Sequence, residues 1–570
     1  MRLFNFTVSN CSNCNKCVRE CPVKAICFVN NEAQIDEDKC IACGHCFKVC
    51  PRHARNMAND IDTVKNKINS GTKTIACLDS AYLGIFKEPG KFITGLRKLG
   101  FDSIQEIAVA SERAEELYIK YINENAGRQK YFITSTCPAI YIFIKKYHPQ
   151  LEKYLLPVAP PMILLGRAIK AEEKNSHTVY IGPCLSKKYE TFPKNDDTVM
   201  NSHITLVEIM RIMRSSGIDI NTLEPTYPDR AAGKSGENYS IAGDIWQVIR
   251  EAVCNNGYDY ARVQGIENVK LLFESMENNT LEKCFVGISA CIESCINGPF
   301  IPKNTNGLYC RRQKIKAFAE HGWGTRGKQI DWDKVDSSFE FRANPVKINK
   351  ASEKEITEIL RKMGKKSKAD EYNCGGCGYD TCRKKAQAVY EGMDTYETCW
   401  QYMKQKAKIQ RDVIFLNSVD ILFLLDKNLN VIKLNPVGLR KFGFNEYDIV
   451  GKYVTELGID DKVCKEALNI KRDYINIKIY IEKQKLTVLA NFVYIDGGEI
   501  FVSMRDITDE EKQKKEISKL RMHTVYTAQN VIEKQMRVAQ EIASVLGETT
   551  AETKVVLNRL KEIVMKEEDE

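Results

Sequence analysis

The sequence predicts a multidomain α/β protein of five modules, and three observations predict it. The chain has 570 residues, more than a single hydrophobic core organises. Its 22 cysteines fall mostly in tight groups instead of at disulfide-like intervals. Between 72 and 345, short apolar runs alternate with helical patterns, as in an α/β domain.

Composition removes several functional classes. Apolar residues make up 43% and charged residues 28%, ordinary values for a globular protein. The net charge of +9 is spread along the chain without a basic block interleaved with aromatics. No nucleic-acid partner is therefore expected; mild basicity fits docking of acidic partners or a solvated surface. No apolar run is long enough to span a bilayer, and Met1–Phe6 lacks the apolar segment of a signal peptide. The expectation is a cytoplasmic protein with no membrane partner. Thiols stay reduced in that compartment, so grouped cysteines point to metal.

The first module, 1–56, contains one motif twice. Cys11, Cys14, Cys17 and Cys21-Pro22 form C-x2-C-x2-C-x3-C-P, and Cys40, Cys43, Cys46 and Cys50-Pro51 repeat it. Three thiolates two residues apart wrap three corners of a cubane, and the fourth cysteine of each run ligates the other cluster. One [4Fe-4S] cluster is thus expected on Cys11, Cys14, Cys17 and Cys50, and a second on Cys40, Cys43, Cys46 and Cys21. Zinc ribbons use the same thiolates, but neither the triple spacing nor the doubling is expected of them. The module resembles bacterial two-cluster ferredoxins. Cys27 and His45 stand outside the pattern, and His45 reads as a bystander.

A helix from Ile61 to Ile68 leads into the second module, 72–345, with strand-like runs at Lys73–Cys77, Tyr131–Ile133, Val179–Ile181 and Phe285–Ile288. Four separated cysteines lie there in three contexts: Thr134-Ser-Thr136-Cys137-Pro138, Gly182-Pro-Cys184-Leu-Ser-Lys187-Lys188-Tyr-Glu190, and Ser289-Ala-Cys291-Ile-Glu-Ser-Cys295. These resemble the three H-cluster motifs of [FeFe]-hydrogenases, whose family forms are TSCCP, MPCxxKxxE and MACxxGC. The resemblance implies an H-cluster, a [4Fe-4S] cubane joined to a two-iron subcluster bearing CO and CN ligands. It implies that Cys137, Cys184, Cys291 and Cys295 hold the cubane, with Cys295 as the bridge. Lys187 matches the family lysine that hydrogen-bonds a cyanide, a charge-assisted contact.

The departures from the family pattern bear on activity. Thr136 stands where catalytic members have a proton-shuttling cysteine. A thiol with a pKa of about 8.5 exchanges protons near neutrality, whereas a threonine hydroxyl does not titrate there. Losing a positioned acid–base costs about 10²–10⁴ in rate. Gly182 and Ser289 replace two methionines around the two-iron site, so a more open and more polar pocket is expected. Met162 falls where catalytic members place a glutamine, and Asp79-Ser80 occupies the Ala-Pro position of the first strand.

A third module, 355–408, follows an amphipathic helix carrying Ile356, Ile359, Leu360 and Met363. Cys374, Cys377, Cys382 and Cys399 give C-x2-C-x4-C-x16-C, with glycines that let the backbone wrap a cluster and a helix opening after Thr381. This resembles the small [4Fe-4S] domain of corrinoid and carbon monoxide-metabolising systems, with structural zinc as the alternative. One further [4Fe-4S] cluster is expected, lengthening an electron path towards the C-terminal modules.

The fourth module, 411–508, shows a hairpin pattern over Ile421–Asn435 with a polar turn and closes on Asp506-Ile507-Thr508. It resembles a PAS domain, an α+β fold. Asp426-x-Asn428-x-Asn430 is not a calcium loop, because Val431 stands where an EF-hand needs glycine. All seven histidines lie outside the segment, which excludes a His-ligated haem, and an empty relaying domain is expected. The fifth module, 510–570, is a helical signalling or dimerisation tail. Its imperfect heptad runs through Ile517, Leu520, Ala528, Val531, Val538, Ile542 and Val545; Gly547 stops that helix, and Thr549 with Glu552 opens another as a capping box.

Taken together, the resemblance is to the PAS-bearing sensory group of [FeFe]-hydrogenases. It implies slow, reversible hydrogen oxidation and proton reduction, with Cys295, Lys187 and Thr136 as the residues at the reacting centre. The implied partners are H2 and protons, a redox protein such as ferredoxin, and a downstream kinase or phosphatase, since no output motif is visible in the chain. The tail implies a homodimer. Two alternatives stay open: a fully competent hydrogenase with a regulatory tail, and a non-enzymatic iron–sulfur redox sensor lacking the two-iron subcluster. Of the remaining cysteines, Cys77 is placed near the H-cluster, while Cys27, Cys254, Cys284, Cys310 and Cys464 read as buried apolar residues.

Overall fold

The computed structural model describes residues 4–6, 10–29, 32–191, 199–233, 236, 238–241, 246–303, 305–495, 497–543 and 555–561. It divides into two units, 1–403 and 404–570.

The sequence repeat at the N-terminus is a structural repeat. Strand Phe4–Phe6 pairs antiparallel with Arg55–Met57, and Ile26–Val29 with Glu32–Ile35. Helices Lys16–Glu20 and His45–Val49 each start from a left-handed residue, Asn15 and Gly44, and each ends on a cysteine, Cys21 and Cys50. The helix expected after this module spans Ile61–Asn69.

The α/β region holds two parallel sheets. One has the order Ser103–Glu106, Thr74–Leu78, His177–Gly182, Ser202–Thr205. The other has the order Asp259–Gln264, Cys284–Ser289, Tyr131–Ile133. Strands Thr74–Leu78, His177–Gly182 and Cys284–Ser289 are buried at every position. Their unbroken apolar runs are what a sheet covered on both faces requires. Helices Ala108–Asn125, Pro138–Tyr147 and Pro161–Glu172 pack around them.

In the small cysteine module, helix Glu353–Lys362 opens with a Ser352/Glu355 capping box. Ile356, Leu360 and Met363 pack on Ala386, Cys382 and Cys399. The module is seated on the N-terminal repeat. Gly378 has φ +97°, and a Cβ there would lie 2.8 Å from the Val18 side chain, so only glycine allows the approach. Lys24 Nζ donates to the Gly378 carbonyl at 2.9 Å, and Phe28 N to the Met393 carbonyl at 3.1 Å.

The second unit contains a five-stranded antiparallel sheet in the order Val431–Leu434, Ile421–Leu425, Glu499–Asp506, Leu486–Ile495, Tyr474–Ile481. Asp426 closes the hairpin turn by accepting the Asn428 and Asn430 amides, each at 2.8 Å. Buried Asn435 caps helix Pro436–Phe442 through the Gly438 amide at 2.9 Å. Asp506 accepts the Thr508 amide at 2.9 Å where helix Thr508–Ala543 begins. On that helix Ile517, Leu520, Val531, Val538 and Ile542 are all exposed. Val545, Gly547 and the Thr549/Glu552 box lie outside the described residues.

The structure differs from the sequence reading at one boundary: helix Trp400–Asn417 runs unbroken through the division expected near 410. Among the described residues, no helix is long and apolar enough to cross a membrane.

Candidate metal centres

The sixteen motif cysteines line four cavities, with Cys43 shared between two of them. One is lined by Cys11, Cys14, Cys17 and Cys50, and the next by Cys21, Cys40, Cys43 and Cys46. The fourth cysteine of each run has therefore crossed to the other half's cavity. The crossing follows from the local fold, because each short helix carries the chain from its third cysteine to the opposite end. The Ala25 amide approaches Cys21 Sγ at 3.3 Å, and the Ala54 amide approaches Cys50 Sγ at 3.4 Å. Cys374, Cys377, Cys382 and Cys399 line the cavity of the small module. There Asn373 Oδ1 accepts the Cys382 amide at 2.8 Å, and Thr381 caps helix Cys382–Tyr390.

The fourth cavity is lined by Cys137, Cys184, Cys291 and Cys295. Each of the first three follows the C-terminal end of a parallel strand, the position at which open α/β sheets place ligands. Cys137 precedes helix Pro138–Tyr147, and Cys295 lies in the short turn Ser294–Asn297. Burial pushes the Cys291 thiol up to about 12 and raises Cys137, Cys184 and Cys295 as well. Such thiols ionise readily only against a cation, and four soft donors around one space fit an iron–sulfur cubane.

The same cavity is walled by Thr136, Lys187, Ser289 and Glu115. Thr136 is half-buried, and Ser289 Oγ donates to the Cys291 carbonyl at 2.9 Å. The Glu115 side chain is buried, and its Oε1 has no hydrogen-bond partner among the described residues. Burial, with Glu112 and Glu116 nearby, holds the Glu115 carboxyl up at about 8. An orphaned acid oxygen and an ammonium beside four thiols fit a polar prosthetic group in this space.

Lys187 is 1% exposed, so it is not a surface lysine. Its Nζ lies 3.4 Å from Asp79 Oδ2 and 5.1 Å from the centre of the Tyr180 ring. Tyr180 Oη donates to the same Asp79 oxygen at 3.1 Å, and the Ala81 amide donates to Asp79 Oδ1 at 3.1 Å. Gly182 corrects the expectation of a more open pocket. A Cβ there would lie 2.1 Å from Tyr180 Oη and 2.8 Å from Asp79 Cβ, so the room beside Gly182 is filled by a hydroxyl and a carboxylate. The groups beside Gly182 are polar and leave no vacancy there.

Other expectations shift. Met162 is fully buried in the core, and its neighbour Pro161 lines the cavity instead. Cys77 is buried within the four-stranded sheet and does not line the cavity. Cys254 and Cys310 are exposed and Cys27 is half-buried, whereas Cys284 and Cys464 are buried. His45 is half-buried, 3.6 Å from Glu20.

The cavities form a series. Cys43 lines both the Cys21 cavity and the Cys295 cavity. Lys146 Nζ donates to the Cys40 carbonyl at 2.7 Å, and Ser186 Oγ to the Ala42 carbonyl at 2.8 Å, tying the N-terminal repeat to the α/β region. At the other end, Cys17 and Cys377 share one apolar cluster. The small module therefore adjoins the N-terminal repeat.

Sequence reading missed three elements: the Asp79–Lys187 pair, Glu115, and a buried Lys385–Asp394 ion pair in the small module. Glu115 was legible, because it lies within the Ser111, Ala114, Tyr118, Ile122 stripe that helix Ala108–Asn125 buries.

Comparison with known proteins agrees with this geometry. Residues 74–299 match the family described as iron only hydrogenase large subunit, C-terminal domain. Residues 4–70 match a 4Fe-4S dicluster domain, and 370–400 match an Fe-S cluster family. Iron hydrogenase 1 of Clostridium pasteurianum is 26% identical over 365 residues, covering 51% of this chain and 63% of that protein. The cytosolic Fe-S cluster assembly factor NAR1 of Encephalitozoon cuniculi is 25% identical over 203 residues, 32% of this chain and 54% of that protein. The chain thus spans under two thirds of either relative. Among solved structures, [FeFe]-hydrogenase HydA1 of Chlamydomonas reinhardtii aligns with 51% of this chain and all of its own, at 15% identity and a TM-score of 0.40. The chain is an iron-only-hydrogenase-like iron–sulfur protein, with a ferredoxin-type domain before its H-cluster-type domain and a further FeS domain after it.

Proposed function

We propose that the protein is a sensory [FeFe]-hydrogenase that interconverts H2 with two protons and two electrons slowly and reports the state of its metal site. Cys137, Cys184, Cys291 and Cys295 would hold the cubane of an H-cluster, and Lys187 would present its ammonium to the anionic side of the group. When bound, that group supplies the redox chemistry at hydrogen. The chain's own residues supply the thiolates, an ammonium and the proton carriers. The cysteine sets at Cys11/Cys14/Cys17/Cys50, Cys21/Cys40/Cys43/Cys46 and Cys374/Cys377/Cys382/Cys399 hold three further [4Fe-4S] clusters, which carry electrons to and from a ferredoxin-like partner.

The observation that carries the slow, sensory reading is Thr136 on the cavity wall, where a shuttling thiol is replaced by a hydroxyl that does not titrate. Glu115, held up at about 8, leaves one acid on that wall, consistent with slow rather than absent turnover. The antiparallel sheet of 421–506, with its first two strands and last three strands in the order second, first, fifth, fourth, third, supports a PAS-type relay. The exposed apolar stripe of helix Thr508–Ala543 supports a dimer that passes the signal to a kinase or phosphatase.

The NAR1 match favours a second reading, a cubane-only protein that senses redox state or assembles clusters. The deciding experiment is an anaerobic infrared spectrum of protein expressed with the hydrogenase maturation machinery, before and after adding H2. CO and CN bands that shift under H2, with low turnover, support the sensor. Bands with ordinary hydrogenase rates make it an enzyme with a regulatory tail, and no bands with all cubanes present make it the cubane-only protein.

A further inference from the structure

Asp79 is a carboxylate at 0% exposure, placed behind the lysine that faces the candidate metal cavity. Burying a carboxylate is costly unless every oxygen is engaged. Here the Ala81 amide takes Oδ1, while Tyr180 Oη and Lys187 Nζ converge on Oδ2. The arrangement depends on Gly182, since any side chain at that position would displace both Tyr180 and Asp79. His203 stacks on Tyr180 with ring centres 4.9 Å apart and donates to the Cys184 carbonyl at 2.7 Å, which fixes the tyrosine from behind. Tyr180, Gly182 and His203 lie on two neighbouring parallel strands, Asp79 follows a third, and Lys187 lies on the helix Ser186–Thr191. Lys187 lines the same cavity as Cys295.

We propose that Asp79 is a positioning residue that holds Lys187 and offsets its charge at the cluster, with Tyr180 and Gly182 as its supports. This rests on the reading of the cavity as an H-cluster site. An ammonium next to an anionic ligand draws electron density from the metals and favours the reduced state. A carboxylate sharing that ammonium has the opposite effect, and at short range in a buried site neither is screened much by solvent. The parent cluster is therefore harder to reduce than one facing an unshared lysine. Asp79 thus sets where on the redox scale the site responds.

The test uses the matured full chain, comparing the parent with Asp79→Asn and Tyr180→Phe by infrared spectroscopy and redox titration. In Asp79→Asn, which keeps the size and removes the charge, the CO and CN bands are expected at higher wavenumber and the cluster midpoint at more positive potential. Tyr180→Phe leaves the carboxylate more available to Lys187, so both readings are expected to move less and in the opposite direction. Unchanged bands and midpoint in a folded, fully loaded Asp79→Asn overturn the proposal. If Asp79→Asn does not fold, Tyr180→Phe decides: bands and midpoint matching the parent overturn it. If the parent itself shows no CO or CN bands, the H-cluster reading fails separately. The midpoint of the cubane held by Cys295 then decides, a positive shift in Asp79→Asn supporting the proposal and none overturning it.

Discussion

Tyr180 occupies the space that a side chain at position 182 would need: its hydroxyl lies 2.1 Å from where a Gly182 Cβ would sit. The two residues are consecutive on the same face of strand His177–Gly182, and the hydroxyl reaches forward to Asp79, which follows the neighbouring strand Thr74–Leu78. Glycine at 182 and tyrosine at 180 therefore behave as one substitution, not two.

Gly182→Ala is expected to cost about 1–3 kcal/mol, the usual penalty for inserting volume into a packed interior. Paired with Tyr180→Leu, which removes the outer ring carbon as well as the hydroxyl, Gly182→Ala should cost less than it does alone. Denaturant unfolding of the three variants measures both terms, and a single alanine variant as stable as the parent rules out the pairing.

Thr136→Cys is expected to raise hydrogen turnover by about 10²–10⁴ over the parent, the range for adding a positioned acid–base. A hydrogen-uptake assay on fully matured protein measures it. If the parent already turns over at the rate of the variant, Thr136 is not what limits it.

Asp394→Ala is expected to cost about 3–5 kcal/mol locally, because it leaves the Lys385 ammonium buried without its counter-charge. Lys385 sits beside Cys377 and Cys399, so the small module should lose its iron while the N-terminal clusters persist. Iron analysis with electron paramagnetic resonance separates the two. Full iron content in the variant contradicts the expectation.

Cys50→Ala is expected to remove the cluster held with Cys11, Cys14 and Cys17 and to spare the one held with Cys40, Cys43 and Cys46, despite their nearness in sequence. Loss of the second cluster instead means that the crossing is read wrongly.

Stability is expected to fall on acidification between about pH 6.5 and 4 through His177. Burial, with Lys67 and Lys170 nearby, holds its imidazole down at about 4 in the fold. In the unfolded chain it takes a proton near 6.5, so its contribution is intact above that pH and lost as pH falls through the folded value. The full effect is on the order of 3 kcal/mol. His177→Gln should flatten that part of the pH profile in a thermal unfolding series; an unchanged slope assigns the acid sensitivity elsewhere.

The close cysteine runs could be read from the sequence because their spacing is that of thiols sharing one cubane, whereas Cys137, Cys184, Cys291 and Cys295 lie in three distant segments and were legible only through their resemblance to a known family. The strands were readable for a similar reason, since Tyr131–Ile133 and Phe285–Ile288 are apolar at every position and bounded by turns. The pairing of Asp79 with Lys187 was not readable. It joins residues more than a hundred positions apart, and it depends on the room that Gly182 leaves for Tyr180 and Asp79, which no local pattern reveals. The same holds for the small module's seat on Val18, which depends on one left-handed glycine and a surface elsewhere in the chain. Methionine replaced by glycine suggested vacant space, whereas the neighbouring tyrosine had already taken it.

That seat changes the order in which the chain is wired. Along the sequence the small module comes last among the cysteine groups, after the Cys295 cavity; in space it comes first, next to Cys17, with the Cys21 and Cys295 cavities following. The helix leading to the second unit, Trp400–Asn417, begins at the residue after Cys399. The chain thus leaves its first unit from the far end of the row of cysteine cavities, the end opposite Cys295, as a cable leaves from the last junction.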